Sequence, residues 1–142
     1  MRLLSVKETS CSINSGPEIE AKINDKLRVG FYQKSDAKIE DSIFVFEFCV
    51  KYEAEDKTTL LDIVYEFQYY IKDLHDYVEM NEGEITKISV IPPHLVNVAI
   101  GTMRGVIAVR TAGSKLSDYP LPLLDTMSIV KALFGKPIKA KS

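Results

Sequence analysis

The chain is poor in the side chains that most often carry chemistry, with two cysteines and two histidines among 142 residues. Cys11 and Cys49 stand far apart and in no metal or redox spacing. That argues for a reducing compartment and leaves room for at most one disulfide. His75 and His94 are isolated, without the paired spacing of metal ligands, and read as surface or capping residues. Basic surplus is missing too: 18 Lys and Arg against 20 Asp and Glu give a net charge of -2. Such a balance offers no general attraction for nucleic acid. No segment approaches the roughly 18 apolar residues that span a bilayer, so no membrane insertion is expected. Met1 to Glu8 meets charge too early for a signal peptide's apolar stretch. The expectation is a soluble, cytoplasmic protein. Thr111 to Lys115 lacks the glycine spacing of a phosphate loop. Repeats and low-complexity tracts are absent as well.

What is present is an ordinary globular composition, 46% hydrophobic and 27% charged, in a length that suits one domain over residues 1–142. Lys131, Lys136, Lys139 and Lys141 gather at the end, and from about residue 136 the chain reads as a frayed polar tail. Val6 to Ile13 reads as a weakly patterned edge strand, closed by Ser15-Gly16-Pro17. From Lys26 to Gln33, Leu27, Val29 and Phe31 alternate with Arg28, Gly30 and Tyr32.

The clearest strand is Ile43 to Tyr52, where Phe44, Phe46, Phe48, Val50 and Tyr52 share one face. A polar turn from Glu53 to Lys57 leads to Leu60–Ile71, with Leu61, Ile63, Tyr65, Phe67, Tyr69 and Ile71 on one side. Together these runs predict an antiparallel hairpin with one aromatic face, which something must cover. Lys72 to Glu84 reads as irregular or partly helical.

Beyond Pro92-Pro93, which suit a helix's first turn, the period becomes helical: Val96, Ala99, Ile100, Met103 and Ile107. Gly113 fits a C-terminal cap. An apolar crossover, Tyr119-Pro120-Leu121-Pro122-Leu123-Leu124, precedes a short helix from about Thr126 to Phe134. Strands first and helices afterwards make the fold class α+β. Along one side of the long helix lie Asn97, Gly101, Gly105, Ala108 and Ala112. Each glycine costs about 1 kcal/mol relative to alanine there, so either a close contact compensates or the helix ends at Arg104-Gly105. That contact is either the chain's own sheet or a helix of another subunit.

At these residues the chain resembles the SecB protein-export chaperones. Ile91-Pro92-Pro93-His94-Leu95-Val96, followed by Met103-Arg104-Gly105, is similar to their long helix. There a Phe-Pro-Tyr opening leads after the same interval to an Arg-Gly pair. Pro92 matches the proline and Arg104-Gly105 match the Arg-Gly. The stretches Lys26 to Ile39, Asp41 to Phe46 and Leu61 to Leu74 follow the family's second to fourth strands in order and spacing. The similarity runs from about Leu3 to Phe134.

The resemblance implies a four-stranded antiparallel sheet, a long helix, a crossover loop and a second helix. It implies a homotetramer, a dimer of dimers, with an interface carried by Asn97, Gly101, Arg104, Gly105, Ala108 and Ala112. It further implies an ATP-independent chaperone that holds unfolded or export-bound precursor polypeptides in an apolar groove. The residues carried over are Tyr119, Leu121, Leu123, Leu124, Met127, Ile129 and Val130, with Val45 and Val64 on the sheet. Members dedicated to one partner, such as an antitoxin, make the alternative.

Two departures stand out. Val106 to Ala112 intervenes where the family turns at once into its crossover, so the helix is longer or the crossover differs. The family's acidic surface for the translocase motor ATPase has no residue-by-residue match. Glu47, Asp62 and Glu66 would make an acidic sheet face that solvation explains equally well. Asp62 and Glu66, about 13 Å apart along a strand, are too distant to share a proton. No nucleophile, base and orienter come together, so neither an enzyme nor a cofactor is expected.

Overall fold

Period-two alternation becomes long strands wherever the sequence sustains it. A computed structural model describes residues 2–82, 84–88, 91–122, 125–134 and 138–141. Its strands are β1 (Arg2–Ile13), β2 (Arg28–Lys38), β3 (Ile43–Glu53), β4 (Thr59–Tyr70), β5 (Val78–Asn81), β6 (Glu84–Ile88) and β7 (Ile138–Lys141). Its helices are α1 (Pro17–Glu20), α2 (Ile91–Arg110) and α3 (Thr126–Phe134). The sheet order is β1-β4-β3-β2-β7-β6-β5. Four long antiparallel strands form its body, and β7 joins β2 in parallel. The architecture is α+β, with the order of elements that the resemblance implies.

Register sets the core. Phe44 lies opposite Tyr69, Phe46 opposite Phe67, Phe48 opposite Tyr65 and Val50 opposite Ile63. The predicted aromatic faces therefore merge into one, and all of these except half-buried Tyr65 are buried. Phe46 stacks on Phe48 at 5.7 Å between ring centroids and meets Phe67 at 6.2 Å. The cover is α2, whose Leu95, Val96, Ala99, Ile100, Met103 and Ile107 are buried in the same cluster. Asp125 starts α3: its carboxylate accepts from the Met127 N–H at 3.1 Å and the Ser128 hydroxyl at 2.8 Å. These bonds hold its carboxyl below the ordinary range.

Two buried tyrosines in this core differ in one respect. The Tyr52 hydroxyl donates to the Tyr119 carbonyl at 2.9 Å, whereas the Tyr69 hydroxyl has no partner among the described residues. Burial pushes both phenols up to about 12. Tyr52→Phe should lower the unfolding free energy by about 1 kcal/mol, while Tyr69→Phe should leave it equal or higher. Urea titrations of the two variants check this; equal losses would contradict it.

Three expectations are corrected. Residues 72–84, read as irregular or partly helical, do hold a short 3-10 helix at Leu74–Tyr77, but it leads into an unexpected strand, β5, which pairs with β6. The C-terminal lysine segment is not a frayed tail, because Ile138–Lys141 forms β7 between β2 and β6. Finally, β1 begins four residues before Val6, at Arg2. In each case pairing with a neighbouring backbone outweighs a weak pattern of the segment's own.

Candidate functional site

The crossover is held to the body of the chain at three points. Proline at 120 and 122 removes two backbone donors from this segment, and the carbonyls of Tyr119, Leu121 and Pro122 accept from side chains. Tyr52 bonds the Tyr119 carbonyl, and the Arg104 guanidinium donates to the carbonyls of Leu121 at 3.4 Å and Pro122 at 3.1 Å. Leu121 sends its side chain inward, where 3% remains exposed. The Tyr119 hydroxyl donates to Asp25 Oδ1 at 3.0 Å, which raises its own pKa.

This strap faces the start of β2 across an open cleft of about 340 Å³. Leu27 and Val29 form one wall, and Tyr119, Pro120 and Pro122 the other, with Asp25 and Asp118 at its polar margin. Val29 is opposite Tyr52, so the cleft lies on the aromatic side of the sheet. Its shape is a trough with apolar walls and carboxylates at the margin.

The residues named from the sequence divide as follows. Tyr119 lines the cleft, and Leu121 anchors its wall from inside. Ile129 and Val130 on α3 are half-buried against the core, and Met127 beside them is 52% exposed. Leu123 and Leu124 lie outside the described residues. Val45 and Val64 sit on the outer face of the sheet, away from the cleft. Leu27, Val29, Pro120 and Pro122 were not singled out. The signal available was the proline-flanked crossover together with the alternation that begins at Leu27.

The small-residue stripe points to solvent. Asn97, Gly101, Gly105, Ala108 and Ala112 are all exposed, and a Cβ built on either glycine meets nothing within 4 Å among the described residues. Among the described residues the stripe does not pack on the chain's own sheet. Val98 and Val109, the latter 75% exposed, flank the stripe and extend it into an uncharged face. Arg104 departs from the group, since its guanidinium serves the crossover within the same chain.

The outer face of the sheet is not simply acidic. Glu47 lies opposite Glu66, but Lys34 is opposite Glu47 on one side and Lys7 opposite Glu66 on the other. Lys51 likewise faces Asp62. Each carboxylate thus has a cross-strand lysine, an arrangement that stabilises the sheet itself. Arg110 pairs with Glu8 at 2.9 Å and ties the end of α2 to β1. Among the described residues no group of three His, Cys, Asp or Glu could hold a metal ion.

Cys49 Sγ donates to Asp62 Oδ1 at 3.3 Å. Burial first, and then this bond, push its thiol up to about 12. The thiol stays protonated well above the usual range, so alkylation at about pH 8 should spare Cys49 in the folded chain and reach it on unfolding. The raised folded value also means that its contribution to stability is lost as pH rises toward 12. Peptide mass mapping after iodoacetamide treatment checks the labelling; rapid modification of native Cys49 would contradict it.

No family model matches the chain, and no curated protein matches it. Among solved structures, it is similar to a SecB-like chaperone from Mycobacterium tuberculosis in complex with a peptide from an antitoxin. The identity is 12%, the match covers 87% of this chain and 89% of that one, and the TM-score is 0.49.

Proposed function

We propose that this chain is an ATP-independent polypeptide-binding chaperone that holds unfolded segments in the cleft between the crossover and the start of β2. The observation that carries the reading is the trough itself. It is open to solvent, walled by Leu27, Val29, Tyr119, Pro120 and Pro122, and braced from behind by Tyr52 and Arg104. An extended chain can lay apolar side chains against such walls and remove their surface from water, at about 25 cal/mol per Å². A pre-braced wall loses little conformational freedom on binding.

The uncharged outer face of α2 is the proposed contact with a second copy, which makes the working unit a homo-oligomer. Clients are unfolded polypeptides, export-bound precursors among them. The test is aggregation of a heat-denatured protein without nucleotide, with the chain added from substoichiometric to stoichiometric amounts. Suppression saturating near one working unit per client is expected; unchanged aggregation of several clients by the folded oligomer defeats the reading. Co-purification of a single discrete protein in fixed ratio would favour the alternative, a chaperone dedicated to one partner.

A further inference from the structure

One hydrogen bond joins the two sides of the cleft. The Tyr119 hydroxyl, on the strap, donates to Asp25 Oδ1 at 3.0 Å, and Asp25 stands two residues before Leu27 of the opposite wall. Both ends of this bond are mounted on held backbone. At 119 the N–H donates to the Leu116 carbonyl at 2.9 Å, and the carbonyl accepts from Tyr52 at 2.9 Å. Two residues on, Leu121 is buried and its carbonyl accepts from Arg104. At the other end Asn24 makes a turn. Its carbonyl accepts from the Leu27 N–H at 3.0 Å, and its side chain accepts from the Lys26 N–H at 2.8 Å. The part free to move is the Tyr119 side chain, which rotates between staggered wells about its own bonds.

We propose that Tyr119 is a gate on the cleft and that Asp25 is its latch. In the closed form the ring is half-buried against the core and its hydroxyl rests on Asp25, as observed. In the open form the bond is broken and the ring swings aside. An apolar side chain of an unfolded segment then takes the ring's place against the core. The inference rests on the reading of the cleft as a polypeptide site and adds its regulation.

Three features argue for it. The latch is weak, because the bond lies at an exposed position where water replaces it on opening. Such a bond shifts an equilibrium by about two- to tenfold. The ring's packing is not lost in the loaded form, since the client's side chain restores the contact. Finally, an apolar trough that stands open at all times invites association with wrong partners. A ring folded over the core limits that surface in the unloaded chain.

The ring therefore competes with the client, and apparent affinity falls by the fraction of molecules that are open. Because opening precedes entry, the closed fraction slows association and leaves dissociation unchanged.

The test uses the full chain and fluorescein-labelled, reduced and carboxymethylated α-lactalbumin as the unfolded probe, followed by stopped-flow anisotropy. Tyr119→Phe keeps the ring and removes the donor; Asp25→Ala removes the acceptor. Each should bind the probe about two- to tenfold more tightly, through a faster association rate at an unchanged dissociation rate. The double variant should gain no more than either single one, because both break the same bond. Asp25→Asn removes the charge but keeps an acceptor, and it should gain less than Asp25→Ala. Equal gains for those two would assign the effect to charge and overturn the gate. Unchanged or weaker binding by both Tyr119→Phe and Asp25→Ala would also overturn it, while leaving the cleft reading intact. Failure of every form, wild type included, to bind the probe removes the cleft reading and this inference with it.

Discussion

Phe46→Ala should lower the unfolding free energy by about 3–5 kcal/mol, the cost of a large cavity in a packed core. Phe46 is fully buried, stacks on Phe48 and meets Phe67 across the β3–β4 ladder. Truncation therefore removes buried area and two aromatic contacts together, each worth about 0.5–1.5 kcal/mol beyond burial. A domain of this size has about 5–15 kcal/mol in total, so the variant stands near the edge of folding. Val45→Ala, next in sequence but on the half-buried outer face, should cost far less. The urea midpoint is the measurement. A Phe46→Ala shift no larger than that of Val45→Ala would mean the aromatic face is not the core.

Gly101→Leu is expected to reduce the native mass in light scattering while leaving the chain's own thermal stability equal or higher. The two halves of that result come from one observation. Among the described residues of a single chain a side chain at 101 has open space, and replacing glycine in a helix interior gains about 0.8–1 kcal/mol of propensity. Against a second helix, packed closely over Gly101 and Gly105, the same leucine has no room. An unchanged mass would remove the subunit contact from the account. A fall in the stability of the monomer would show that the stripe packs within the chain after all.

The sequence made some of this legible and hid the rest for physical reasons. β3 and β4 could be read to within a residue or so because Phe44 to Tyr52 and Leu61 to Tyr69 keep an unbroken period of two against a core. The limits of α3, Thr126 to Phe134, were readable from its apolar run, whereas the Asp125 cap that starts it was not named from the sequence. β1 was blurred: Leu3, Leu4 and Val6 are all more than 40% exposed, so its first half has no buried face to impose alternation. β5, β6 and β7 are four or five residues each, too short to display a period, and neighbouring backbone holds them.

The cleft itself joins Leu27 and Val29 to Tyr119, Pro120 and Pro122, which are far apart in the chain. The register of Val29 with Tyr52, the bond from Tyr52 to the Tyr119 carbonyl and the bond from the Tyr119 hydroxyl to Asp25 bring them together. Sequence patterns record which residues are apolar. They do not record which apolar surface the helices leave uncovered.

The central claim, an unfolded chain held at the crossover cleft, is tested most directly by cross-linking from defined positions. Single cysteines at Val29 in the cleft wall and Val64 on the outer face, with Cys11 and Cys49 changed to serine, would each carry a short photo-activated cross-linker. The account predicts that carboxymethylated α-lactalbumin is captured from position 29 and not from position 64, and that excess unlabelled unfolded peptide abolishes the capture. Equal capture from both positions, or capture from position 64 alone, would contradict it.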